Sequence, residues 1–269
     1  MAAPTALSST WDLVADAYLL DQVPHFEAFA EMALDIIGVD GVDIYEVADV
    51  ACGPGTLALK AAARGARVAA LDFSPAMISQ LKGRLASSQM QAEVVVGDGQ
   101  ALPWADGRFH AAFSMFGLMF FPDRAAGFRE LHRVLRKDGR ALVSSWVPID
   151  QVPILRDAIA LLMQAAHAPS TPSAPAPLST PETFRAEMEA AGFVDVEIEE
   201  RSVLVPFASP TALLEWMSRS APIMVMKQNM GNAAFDEVYA RWNVAMMEQH
   251  GAMPLQYPLV ALFGTGRRS

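Results

Sequence analysis

The sequence is poor in the residues that build disulfide, metal and nucleic-acid proteins. It holds a single cysteine, Cys52, in 269 residues. That rules out an internal disulfide and any cysteine-rich metal site. Its histidines, His25, His110, His132, His167 and His250, include no pair at metal-ligand spacing, so no metal is expected. Charged residues make up 19% of the chain, and the basic ones are the minority: 20 Lys and Arg against 30 Asp and Glu, a net charge of −10. Such a surface repels phosphate backbones, so nucleic acid is not an expected partner. No apolar run is long enough to span a bilayer. Met1 to Thr10 lacks the basic start and apolar stretch of a signal or transit peptide. The expectation is a cytoplasmic protein, monomer or homodimer, without internal repeats.

What is present is apolar and periodic. Hydrophobic residues reach 52%, enough for a substantial core in one domain spanning 1–269. Residues 11–38 carry Trp11, Val14, Tyr18, Phe26, Phe29, Ala33 and Ile37 at helical spacing, broken near Gln22–Pro24. Together, 1–41 reads as an N-terminal helical cap. Strands and helices then alternate through a core at 42–150. Strands are expected at Ile44–Ala51, Ala66–Leu71, Glu93–Val96, Phe109–Met115 and Ala141–Val147. Between them, Ser74-Pro75 and Asp123 mark helix starts. Residues 168–181 form a loop rich in Pro, Ser, Thr and Ala. Thr180-Pro181 starts a further helix, stopped by Gly192, and a strand runs over Val194–Val205. Residues 208–254 read as a helical lid inserted before a last strand at Tyr257–Gly264. This order predicts an α/β fold: a Rossmann-like doubly wound sheet of seven strands, mostly parallel, with a C-terminal antiparallel hairpin.

The first strand runs into Asp49-Val50-Ala51-Cys52-Gly53-Pro54-Gly55-Thr56, a tight glycine turn that opens a helix. Gly53 and Gly55 permit positive φ and close approach of a ligand, and the helix's first amides can hold an anionic group. Gly53, Gly55 and Ala58 satisfy a degenerate dinucleotide pattern, which by itself does not choose a ligand. Three acids follow at successive strand tips: Asp49, Asp72 and Asp98. Asp49 would repel a pyrophosphate, and Asp72 lies at the spacing that suits a ribose diol. A ligand with a cationic end, a diol and an exocyclic amine fits the set, and S-adenosylmethionine (SAM) has all three. A nicotinamide-dependent oxidoreductase and a non-catalytic SAM-fold scaffold stay open as alternatives.

Residues 44–147 closely resemble class I SAM-dependent methyltransferases of the ubiquinone/menaquinone-biosynthesis type. The matching pieces are the glycine turn itself, Leu71-Asp72-Phe73-Ser74-Pro75-Ala76-Met77, Gly97-Asp98-Gly99-Gln100-Ala101-Leu102-Pro103 and Phe128-Arg129-Glu130-Leu131-His132-Arg133-Val134-Leu135. The resemblance implies that Asp49, Ala51, Gly53 and Gly55 surround the methionine part of the cofactor. It implies that Asp72 accepts from the ribose hydroxyls, with Phe73 and Met77 near the adenine. Asp98 would accept from the adenine amine beside Gly99 and Gln100, and Ser114 and Met115 would lie along the methionine chain. Tyr18 would fold over the cofactor, as an aromatic in the N-terminal helix does in similar enzymes; ordinary helix packing is the other reading. His110 and Asp138 depart from the family pattern, the second from a glycine, and both are read as local structure. The product would be S-adenosylhomocysteine (SAH).

The acceptor is expected to be a small, apolar or aromatic molecule, methylated on oxygen or carbon. Its pocket is expected from Met115, Phe116, Phe120, Phe121 and Trp146. Some of the lid's Trp216, Met217, Met224, Met226, Met230, Met246, Met247 and Met253 would add to it. His25 in the cap and His250 in the lid are the candidates for a general base. His132 is expected to be solvated, and Cys52 is read as a small buried turn residue rather than a nucleophile.

Overall fold

The computed structural model describes residues 4–39, 45–167 and 176–269. The ends of the expected cap (1–3, 40–41), the start of the expected core and first strand (42–44) and most of the Pro-rich loop (168–175) lie outside the described residues. Seven strands form one sheet in the order β3-β2-β1-β4-β5-β7-β6. The first five, β1 (Glu46–Val50), β2 (Arg67–Asp72), β3 (Glu93–Val96), β4 (Phe109–Ser114) and β5 (Leu135–Trp146), run parallel. β7 (Leu255–Arg268) lies antiparallel between β5 and β6 (Phe193–Phe207). The expected Rossmann-like sheet with a C-terminal antiparallel hairpin is present. Val47, Ala48 and Val50 of β1 are almost wholly excluded from water, as a central strand covered on both faces requires.

Helices α3 (Thr56–Ala63), α4 (Pro75–Ser88) and α5 (Arg124–Val134) link the parallel strands. Ser74 caps α4 by accepting from the Met77 amide at 3.1 Å, and Asp123 caps α5 through the Ala126 amide at 2.9 Å. In α5, Glu130 accepts from the Leu102 amide at 2.6 Å, and Arg133 donates to the Leu102 and Trp104 carbonyls. This part of the family-like motif therefore clamps the loop after β3.

Three local outcomes differ from the sequence reading. The N-terminal break is a π-helical turn, Tyr18–Gln22, between α1 (Ser8–Ala17) and α2 (Val23–Ile37), and Pro24 sits in the first turn of α2. β5 begins at Leu135 rather than Ala141. Its register against β4 shifts between the pairs Phe109–Leu135 and Ala111–Arg140, so the Asp138-Gly139 turn is folded into the strand as a bulge. Asp138 takes the left-handed conformation there (φ +62°) and pairs with Arg267 at 2.6 Å. His132 is not solvated: it is half-buried with its ring 5.1 Å from Phe193, and burial lowers its pKa.

α6 (Pro153–Ala165) and α7 (Pro181–Ala190) follow β5, and three helices lie between β6 and β7: α8 (Pro210–Ser218), α9 (Ala221–Met230) and α10 (Asn232–His250). Trp242 of α10 is fully buried and donates from Nε1 to the Ala158 carbonyl of α6 at 2.7 Å. α9 sits against the N-terminal helix, where Ala221 and Met224 pack with Val14, Ala15 and Met77.

Candidate functional site

The glycine turn places its residues on two sides. Ala51 (φ +57°), Gly53 (φ +53°) and Gly55 (φ +81°) are all left-handed. A Cβ at Gly53 would meet nothing within 4 Å, whereas a Cβ at Gly55 would lie 2.2 Å from Leu81 Cδ1. Gly53 is open to a ligand, and Gly55 makes room for α4. Arg84 of α4 fixes the turn from the same side, donating to the Pro54 carbonyl at 2.7 Å.

Asp72 ends β2 and is only 5% exposed. Its Oδ2 accepts from the Gly53 amide at 2.8 Å, and its Oδ1 from the Ser74 amide at 2.9 Å. Burial still outweighs these bonds and pushes its pKa up to about 6. Asp49, 1% exposed, lies one strand over, and its Oδ2 has no hydrogen-bond partner. Burial lifts its pKa to about 7 and Asp72 adds to the rise, while the Ala58 amide in the first turn of α3 opposes it. Asp98 is exposed after β3 and accepts from the Gln100 amide at 2.8 Å. Gln100 in turn accepts from the Asp123 amide at 2.8 Å, joining this loop to the start of α5.

These groups face a cavity of about 340 Å³ and a smaller neighbour of about 40 Å³. Asp72, Phe73, Met77, Asp98, Gly99 and Gln100 line the larger one. Asp49 lines the smaller, and Tyr18, Ala51, Gly53 and Met115 border both. Burial raises the Tyr18 phenol above its ordinary range, with Asp72 adding to the effect, so it stays protonated at neutral pH. Phe121 forms part of the wall because Gly99 and Gly127 leave room for its ring; a Cβ at either would come within 2.7 Å of it.

The structure separates several expected residues from this site. Gly55 lines neither cavity, for the steric reason above. Ser114 is fully buried, and its Oγ accepts from the Leu118 amide at 3.2 Å, closing the turn after β4. Trp146 lies behind the wall, stacked on Phe116 at 4.1 Å. No residue of 208–254 lines either cavity, so the expected lid contribution to the pocket is not found there. Met217 and Met246 are core residues, and Met253 is 75% exposed. His25 packs against Trp216 and Phe207. His250 lies 3.5 Å from Asp157, between α10 and α6. Neither histidine borders a cavity.

Ala6, Trp11, Leu71, Gly117 and Pro122 also line the larger cavity and were not expected as site residues. Trp11 stands two helical turns before Tyr18, on the same face, and packs on Phe120 at 5.2 Å. That spacing was a usable signal.

The fold defines the class: a Rossmann-like sheet with acids at successive parallel strand tips around a glycine turn. Residues 47–139 match the family model described as a methyltransferase domain. An uncharacterised protein of Mycobacterium tuberculosis is 39% identical over 100 residues, 37% of this chain and 36% of that one. The ubiquinone/menaquinone biosynthesis C-methyltransferase of Geotalea uraniireducens is 36% identical over 102 residues, 36% of this chain and 43% of that one. The matched region thus spans about two-fifths of these relatives. Among solved structures, a putative methyltransferase from Bacillus halodurans superposes with a TM-score of 0.57 at 18% identity, covering 89% of this chain and 98% of that one. The [4+2]-cyclase SpnF gives a TM-score of 0.61 at 17% identity, covering 99% and 96%. Residues 47–139 are thus similar to methyltransferase domains, and the chain as a whole shares the fold of the solved putative methyltransferase.

Proposed function

We propose that the protein transfers a methyl group from SAM to a small, apolar or aromatic acceptor, on oxygen or carbon. The observation that carries the cofactor assignment is the orphaned Asp49 Oδ2, buried in the smaller cavity beside the open face of Gly53. A buried carboxylate oxygen without a partner fits an ammonium group and opposes a pyrophosphate. Asp72, at the larger cavity, keeps free lone pairs on both oxygens for a diol. Asp98, beyond it, fits an exocyclic amine. The nicotinamide reading fares worse, because the Gly53 amide that would face a phosphate is already bonded to Asp72.

When bound, SAM supplies a methyl group already activated for in-line displacement. The chain's own task is then to position the acceptor and exclude water. Trp11, Tyr18, Met115, Phe116 and Phe120 give the larger cavity an aromatic, apolar wall that suits such an acceptor. The relative named for C-methylation supports carbon as one target. With His25 and His250 away from both cavities, neither serves as the base. The [4+2]-cyclase among the similar structures is a reason to test turnover separately from binding.

Calorimetry with SAH should give binding in the micromolar range, about −8 kcal/mol. Asp72→Ala should weaken it at least tenfold. Incubation with methyl-labelled SAM and a metabolite library, read by mass spectrometry, should yield a labelled product. Tight NADH binding without SAM or SAH binding would refute the reading, and SAM binding without any labelled product would favour the scaffold.

A further inference from the structure

α1 packs over the cavity, with Trp11 against Phe120. Its apolar contacts, Val14 and Ala15 against Met77 and Ala221, form a small cluster separate from the main core that holds α2 through Phe29, Ala33 and Leu34. The π-helical turn Tyr18–Gln22 joins the two helices. Yet α1 and that turn carry Trp11 and Tyr18, which wall the larger cavity.

A polar contact adds to these. Asp12 Oδ1 accepts from the Ser74 hydroxyl at 2.6 Å and from the Ala76 amide at 3.1 Å. The start of α4 is therefore capped twice: Ser74 takes the Met77 amide from within its own chain segment, and Asp12 takes the Ala76 amide from another helix. A carboxylate is favoured at that helix start by the dipole as well. Asp16, one turn on, accepts from Gln80 Nε2 on the same two helices.

The contact continues into the cofactor site. Ser74 is fully buried, and its amide donates to Asp72 Oδ1, whose partner oxygen accepts from Gly53. One hydrogen-bonded chain thus runs from α1 through Asp12 and Ser74 to Asp72 and on to the glycine turn. We propose that Asp12 is a positioning residue that latches α1 to the start of α4, so that docking of the Trp11–Tyr18 wall and binding of the adenosyl cofactor at Asp72 favour each other. This rests on the cofactor reading above. The coupling is reciprocal: a ligand that orders Asp72 and its partners stabilises the docked helix, and a docked helix raises affinity for the ligand.

The test uses the full chain, SAH as probe, calorimetry and amide hydrogen exchange over residues 8–17. In the wild type, SAH should slow exchange in α1. Asp12→Ala, whose side chain does not line the cavity, should raise the SAH dissociation constant by about tenfold and abolish the slowing. Asp12→Asn keeps an acceptor oxygen for Ser74 and Ala76, and should restore both to within about twofold of wild type. Unchanged affinity and unchanged α1 protection in Asp12→Ala would overturn the latch, as would Asp12→Asn behaving like Asp12→Ala. No SAH binding by the wild type would instead overturn the cofactor reading, and this inference with it.

Discussion

Gly53 and Gly55 look alike in the chain and meet different surroundings, one facing cavity and the other facing Leu81. Gly53→Ala should add a methyl group to the ligand space, weakening SAH binding at least tenfold for a stability loss of about 1 kcal/mol from the left-handed φ. Gly55→Ala should cost more stability, about 1–3 kcal/mol, because Leu81 must move as well. Once folded, it should bind SAH with closer to wild-type affinity. Paired melting and calorimetry on both variants decide the matter, and the reverse ranking would sink the assignment. Asp72 and Asp98 were legible because acids at successive strand tips have a common direction in a parallel sheet. Ser114 was misplaced because a hydroxyl at a strand tip can face the ligand or close its own turn, and only the Leu118 contact shows which.

At the scale of elements, the helices between β6 and β7 are a brace rather than a cavity wall. Trp216 Nε1 donates to the Asp21 carbonyl at 3.0 Å, Arg219 pairs with Asp21 at 3.1 Å, and α9 backs α1. They reach the site through the N-terminal segment and through Met77 of α4, against which Ala221 packs. Trp242→Ala should therefore destabilise the protein by about 3–5 kcal/mol, by loss of a fully buried aromatic, while leaving SAH affinity of the folded chain within about twofold. Denaturant melts with and without SAH measure both; a selective loss of affinity would show that α10 contributes to the site directly. The methionine-rich composition of 208–254 suggested a pocket because methionine suits both adaptable binding surfaces and irregular core. Sequence periodicity marks which helical face is apolar but not which neighbour covers it.

Across the whole molecule, two buried acids tie stability to pH. Asp49 and Asp72 have folded pKa values of about 7 and about 6 against an ordinary 3.8. As pH rises from about 4 to about 7, the unfolded chain releases protons that the native chain keeps, so these groups make stability fall across that window and level off above it. A cationic or hydroxyl-bearing ligand favours the ionised acids. SAH binding should therefore release protons below about pH 7, and affinity should rise from about pH 5.5 to about pH 7 and then flatten. Calorimetry in buffers of different ionisation enthalpy reads the proton release directly. Affinity independent of pH across that range would argue against Asp49 and Asp72 as ligand groups.

By itself the sequence determined the α/β order, the strand tips that carry Asp49, Asp72 and Asp98, and the glycine turn that opens α3. Each depends on local periodicity, capping or glycine conformation, and these are written in neighbouring residues. The tertiary structure decided which side of that turn Gly55 serves, where the lid lies, and that Trp11 joins Tyr18 in the wall. It also decided that Asp12, remote in sequence, caps α4 beside Asp72. Those depend on the packing of helices far apart in the chain, a property of their relative placement rather than of any one segment's pattern.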